Sequence, residues 1–268
     1  MRTSRLYLHV FAASLFLMSA AQGLHAREIT IVGTGDGLDL LKEIGAAYTA
    51  ANPATLITVP PSIGSGGAIA AVGGERESLG RVARPLTPGE ASSGIDYRPI
   101  FTVPSAFFVH PGIPVRSLTG VQLRAIFSGE ITSWKDVGGP NLRIRVVRRE
   151  EADSSVAVFR ASIPEFRDIK FTERSKFALT TQEAIDSIRD NEGAIGFASY
   201  SSVLAKRLGV VALNGVMPTD KTYPANVTLA LIFKPGKLDS ELSAFLAFFR
   251  SEAARRLILD LGARPHVP

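Results

Sequence analysis

The chain has 268 residues, 46% hydrophobic and 21% charged, with a formal charge of +5. That length supports a full core and one large or two smaller domains. The small positive excess, with no dense Lys/Arg block, argues against a nucleic-acid footprint. Cysteine is absent, which excludes disulfides and a lipid carried on an N-terminal cysteine.

The first 26 residues read as a secretory signal peptide. Arg2 and Arg5 give a short basic start, residues 6–18 are almost wholly apolar, and small residues lead to a cleavage point after Ala26. The apolar run is short for a membrane span, and no later stretch is long and apolar enough for one. Without Arg2 and Arg5 the formal charge falls to +3. The mature chain is expected to be free, soluble, monomeric and periplasmic.

Residues 28–32 (Glu-Ile-Thr-Ile-Val) read as a strand, followed by Gly33-Thr34-Gly35-Asp36-Gly37 and a helix marked by Leu38, Leu41, Ile44 and Tyr48. The glycines do not match a dinucleotide fingerprint, but they suit a loop whose backbone approaches an anion. A second unit follows: strand 56–59, then Gly64-Ser65-Gly66-Gly67, then a small-residue helix over 68–72. The third junction, Gly80-Arg81-Val82-Ala83-Arg84-Pro85, carries arginine.

Residues 97–110 are extended and apolar, residues 118–127 read as a helix, and residues 129–139 form a structured loop with Trp134, the only tryptophan, as a packing anchor. Then comes the stretch that carries most of the chemistry, Val146-Val147-Arg148-Arg149-Glu150-Glu151-Ala152-Asp153-Ser154-Ser155. A strand ends in two arginines, and helix-capping residue types follow. A helix N-terminus presents unpaired N–H groups and partial positive charge to an oxyanion, and arginine adds a planar fork of donors. Beyond it, residues 163–176 are irregular and 181–189 form a helix capped by Thr180 or Thr181. Residues 193–198 form a glycine-flanked strand, followed by a helix reaching residue 208 and a strand over 210–213. Residues 223–234 are again extended, and residues 242–259 read as one amphipathic helix. Loops following parallel strands gather at the strands' carboxyl ends, where ligands bind in open α/β sheets. The two long extended segments, bracketing a middle block, suggest a two-lobed α/β protein with a cleft and a hinge.

These residues resemble the periplasmic phosphate-binding protein of the bacterial high-affinity phosphate ABC transporter. The motifs are Ile126-Phe127-Ser128-Gly129-Glu130-Ile131-Thr132-Ser133-Trp134, Arg84-Pro85-Leu86, Gly193-Ala194-Ile195-Gly196-Phe197 and Tyr223-Pro224. The resemblance implies a type II periplasmic binding protein fold, two α/β domains joined by two crossing extended segments. Lobe I would be residues 27–104 plus 225–268, and lobe II residues 105–224. It also implies phosphate or a related oxyanion as ligand, an inner-membrane ABC permease as partner, and neither cofactor nor catalysis.

Carried over by position, the ligand set is Thr34, Gly35, Asp36, Ser65, Gly66, Arg84, Arg149, Asp153, Ser154 and Ser155. Two departures stand out. Asp153 replaces the serine of the family's R-x-x-G-S-G-T loop, whose glycines are here Ala152 and Ser154, and Asp36 falls among the anion-facing positions. Each acid caps a helix, accepts a proton from a protonated ligand, or marks a different ligand, and capping is the first expectation for both. Two other functions compete. One is an envelope adaptor or sensor that has lost or changed its ligand. The other is a hydrolase with Ser65, Ser154 or Ser155 as nucleophile and His110 or His266 as base, although no nucleophile-elbow motif is present.

Overall fold

A computed structural model describes residues 26–266; residues 1–25 of the expected signal peptide lie outside them. In chain order the elements are β1 (Arg27–Gly33), α1 (Leu38–Ala51), β2 (Thr55–Thr58), α2 (Gly64–Gly73), β3 (Leu79–Val82), α3 (Pro88–Ala91) and β4 (Asp96–Val109). There follow β5 (Ser117–Leu118), α4 (Gly120–Ser128), β6 (Arg145–Arg148), α5 (Ser154–Ser162), β7 (Lys176–Phe177), α6 (Thr181–Asp190) and β8 (Ala194–Ser199). The chain closes with α7 (Ser202–Ala205), β9 (Gly209–Leu213), β10 (Asn226–Phe233), α8 (Ser240–Phe248), α9 (Glu252–Asp260) and β11 (Arg264–Pro265).

β4 is the spine. Its first part, Asp96 to Pro104, pairs antiparallel with β10, and its second part, Ser105 to Val109, pairs antiparallel with β8. The strands run β2-β1-β3-β10-β4-β8-β6-β7, with β9 and β11 also on β4. On one side β1 lies parallel to β2 and β3, and on the other β6 lies parallel to β8. Where β4 passes between the halves, Ser105 N–H donates to Ala225 O at 2.9 Å and the Tyr223 hydroxyl to Ser105 O at 3.0 Å. The two crossing segments are thus bonded to each other.

Each half has its own core. Ile31, Leu41, Ile44, Phe101, Leu229 and Phe245 belong to one. Phe107, Phe127, Trp134, Phe159 and Phe197 belong to the other, with Phe107 and Phe159 stacked at 4.5 Å. Trp134 is fully buried and its Nε1–H reaches Gly193 O at 2.9 Å, so it is the packing anchor expected. Among the described residues no helix is long and apolar enough to cross a membrane.

Three boundaries differ from the sequence reading. The expected helix over 242–259 is two helices, broken at Phe249 and Arg250, with the Ser251 hydroxyl accepting from Ala254 N to start α9. The glycines of the second loop lie inside the first turn of α2, because Ala68, Ile69 and Val72 pack that helix onto its sheet. The helix expected to reach residue 208 is confined to α7.

Candidate functional site

The carboxyl ends of β1 and β6 face each other from opposite lobes. β1 ends at Gly33, whose φ of +141° is a glycine conformation. A Cβ there would fall 2.0 Å from Arg81 O, so only glycine lets the two strand ends come this close. Thr34 N–H then donates to Arg81 O at 3.1 Å.

Asp36 follows, 3% exposed. It caps nothing: the residue before α1 is Gly37, in the left-handed region and without a side-chain cap. The capping expectation for Asp36 is corrected accordingly. Its carboxylate accepts from the Thr34 hydroxyl at 3.1 Å and, across the cleft, from the Ser199 hydroxyl at the end of β8 at 2.6 Å. Gly35 sits against α6, where a Cβ would meet Thr181 Oγ1 at 2.4 Å. The lobes therefore touch here, leaving a cavity of about 10 Å³ lined by Gly35, Thr181, Gln182 and Ser199.

On the facing lobe Asp153 caps α5 as expected, its Oδ1 accepting from Ser155 N–H at 2.9 Å. Its Oδ2 accepts from Arg149 Nε at 3.0 Å. Arg149 is 7% exposed and also donates to Ala178 O at 2.7 Å. Of the ion pairs among the described residues, Arg149–Asp153 is the one buried on both sides. Arg148, the next residue back, points the other way: its Nε donates to Ser175 Oγ at 2.9 Å and its guanidinium lies 4.9 Å from the Phe177 ring centroid. Successive strand residues face opposite sides, and Arg149 is the one turned toward Asp153 and the start of α5. Ser154 opens α5, and Ser155 is buried, its hydroxyl 3.1 Å from that of Ser105 on β4.

Burial, and then the Asp36 carboxylate, push the Asp153 carboxyl up to about 6, against the opposing pull of Arg149. Two acids from opposite lobes thus share one electrostatic environment.

The other two loops behave unequally. The Ser65 hydroxyl accepts from Ala83 N–H at 3.1 Å, joining the second and third junctions. At Gly66 a Cβ would meet nothing within 4 Å, so the backbone there borders open space. Arg84 is engaged within its own lobe. It makes two 2.8 Å bonds to Glu90, whose carboxylate is fixed by a capping box with Thr87 at the start of α3. The expectation that Arg84 faces a ligand finds no support in this pairing: its guanidinium is taken up by Glu90.

A second buried arginine at the site is Arg81, within β3. It donates to Thr34 O at 2.6 Å, to Pro60 O at 2.8 Å and to Ile31 O. Burial lowers its pKa to about 10, which leaves it a cation. It ties the ends of β1 and β2 into one frame. Arg81, Ser105 and Ser199 are absent from the ligand set read from the sequence.

The hydrolase reading finds no support in the geometry. Ser155 is bonded to Ser105 and Ser65 to a backbone N–H. His110 lies five residues beyond Ser105 along β4, about 16 Å at 3.3 Å per residue. His266 is bonded to Ile100 O, five residues the other way. Cavities of about 360 and 240 Å³ lie around Arg143, Ile144, Val146 and Arg174. They border the start of β6, whereas the loops of the site follow its end.

A phosphate-binding protein PstS from Borreliella burgdorferi is 22% identical over 251 residues, covering 87% of this chain and 88% of the relative. A second, from Bacillus subtilis, is 24% identical over 260 residues, covering 88% and 80%. Among solved structures, a phosphate ABC transporter substrate-binding protein with bound phosphate from Clostridium perfringens superimposes with a TM-score of 0.77, at 24% identity over 90% of this chain and all of that one. A phosphate-binding protein from Stenotrophomonas maltophilia gives a TM-score of 0.70 at 14% identity, covering 90% and 91%. These likenesses establish the two-lobed fold. The family model described as a PBP superfamily domain matches residues 19–253, and with strands, cleft and crossing segments arranged as above, this chain belongs to the PBP superfamily.

Proposed function

We propose that this chain is an exported, periplasmic substrate-binding protein that closes its lobes over inorganic phosphate, or an oxyanion of the same shape, and delivers it to an inner-membrane ABC permease. The lobes are taken as residues 27–104 plus 225–268 and residues 105–224. The observation that carries the reading is the buried Arg149 beside the N-terminus of α5, facing the Thr34–Asp36 loop of the other lobe. A guanidinium and the free N–H groups of a helix start together form an anion cradle. Ser154 and Ser155 add N–H groups and hydroxyls. Thr34, Gly35, Ser65 and Gly66 supply donors from lobe I, and Ser199 a hydroxyl from lobe II. Phosphate-binding relatives spanning most of this chain support the same ligand.

The test is a thermal scan of the mature protein with millimolar phosphate. A ligand at 100 times its Kd stabilises by about 2.7 kcal/mol, or roughly 5–10 °C for a chain of this size. A melting temperature unmoved by phosphate, arsenate, sulfate and molybdate would reject the proposal.

A further inference from the structure

We infer that the Asp36–Asp153 pair couples anion capture to proton uptake, so that the oxyanion enters this cleft together with a proton taken from solvent. The inference rests on the binding role proposed above and adds the condition under which that site binds.

Charge around the cleft is unevenly compensated. Asp36 and Asp153 come from opposite lobes and are 3% and 9% exposed. Asp36 is held by the hydroxyls of Thr34 and Ser199, neutral donors that can also rotate toward a ligand. Asp153 is held by Ser155 N–H and by Arg149. The cations are few. Arg149 already serves Asp153 and Ala178 O. Glu183 on α6 also lies in the field of Arg149 and is itself paired with Lys176. Arg81, behind the Thr34 loop, directs its donors at three backbone carbonyls. Around the site, then, Asp36 has no cation bonded to it among the described residues, and Arg149 is already paired with Asp153, before an anion arrives.

An oxyanion entering this cleft meets like charge at close range, where the dielectric is low. The system lowers that repulsion by binding a proton at the acid pair. Asp153 is already prepared for it, since burial and Asp36 push its carboxyl up to about 6. An anion alongside pushes it higher still. Linkage then requires that affinity fall as pH rises above about 6, by up to tenfold per pH unit for one coupled proton. The proton comes from the buffer and resides on a carboxyl oxygen of the pair. The protonated carboxyl becomes a donor, so the charge is removed and a hydrogen bond to the anion is added.

The experiment uses the mature chain, wild type and Asp36→Asn, which keeps an acceptor for Ser199 but removes one charge; Asp36→Ser is the second variant if the first does not fold. Two readouts are taken. Carboxyl ¹³C titration of the ligand-free proteins is expected to place Asp153 above the ordinary aspartate range in wild type and lower in the variant. Calorimetric titration with phosphate from pH 5.5 to 8.5, in buffers of different ionisation enthalpy, counts protons taken up. Because both proteins meet the same phosphate, the ligand's own ionisation cancels in their ratio. The variant is expected to bind about tenfold or more tightly than wild type at pH 8, with a ratio near one at pH 5.5. An Asp153 that titrates normally and ignores Asp36, or an affinity ratio that is constant with pH, overturns the coupling while phosphate binding stands. Wild type that binds no phosphate at any of these pH values overturns the coupling and the binding proposal together.

Discussion

Replacing Arg149 with alanine, with Arg148→Ala as its neighbour control, tests the register on which the site depends. Arg149 is buried and bonded to Asp153 at 3.0 Å and to Ala178 O at 2.7 Å. Its removal leaves Asp153 buried, facing Asp36, with only Ser155 N–H as an identified partner. Breaking a buried pair by deleting one member costs about 3–5 kcal/mol. At 2–4 °C per kcal/mol for a domain of this size, that is roughly 10 °C in melting temperature. Arg148 is half-buried and loses one hydrogen bond and one ring contact, together about 1 kcal/mol. Urea denaturation at pH 8 followed by circular dichroism measures both. The Arg149 penalty is expected to shrink at pH 5, where the orphaned carboxyl picks up a proton and ceases to be an uncompensated charge. In calorimetry with phosphate, Arg149→Ala is expected to lose about 30- to 4,000-fold in affinity, the equivalent of 2–5 kcal/mol, and Arg148→Ala far less. Equal losses, or a larger loss from Arg148, would refute the register and with it the roles given to Ser154 and Ser155.

Two further outcomes follow from the same geometry. Asp153 has a folded pKa of about 6 against an ordinary value of 3.8, so folding favours its protonated form. Its unfavourable contribution is absent below the unfolded value and complete above the folded one. The stability of wild type relative to Asp153→Asn should therefore rise by about 1 kcal/mol as pH falls from 7 to 5; paired denaturation curves that stay parallel would contradict this. Gly33→Ala puts a methyl 2.0 Å from Arg81 O at a φ of +141°, and is expected to cost about 2–5 kcal/mol by chemical denaturation, whereas a loss below about 1 kcal/mol would mean that β1 and β3 are not clamped here.

Much of this protein was legible from short stretches. Arg149, Asp153 and Ser155 lie within one strand-to-helix junction, so residue type and local spacing suffice to place them. The extended segments announced themselves because a strand buried on both faces is continuously apolar, as the second half of β4 is. What escaped depends on long-range approach. Ser199 meets Asp36 across 163 residues and Ser105 meets Ser155 across 50, and nothing local in either serine marks it. The break between α8 and α9 has no proline or glycine. The amphipathic period runs through it, and the signal is Ser251 alone, one of several serines in polar surroundings.

Arg84 and Arg81 differ in signals that are present in the sequence. The sequence Thr87-Pro88-Gly89-Glu90 is a capping box, which fixes a carboxylate six residues beyond Arg84 and gives that arginine a surface partner before any ligand is considered. Arg81, by contrast, stands in a strand whose four residues are all buried. An arginine in such a place is retained only where acceptors surround it, and the carbonyls available to it are those at the ends of the neighbouring parallel strands. Those strand ends also lead into the loops proposed to hold the anion. A buried cation satisfied by backbone carbonyls leaves the two acids to other partners, and Asp153 finds Arg149 while Asp36 finds the hydroxyls of Thr34 and Ser199.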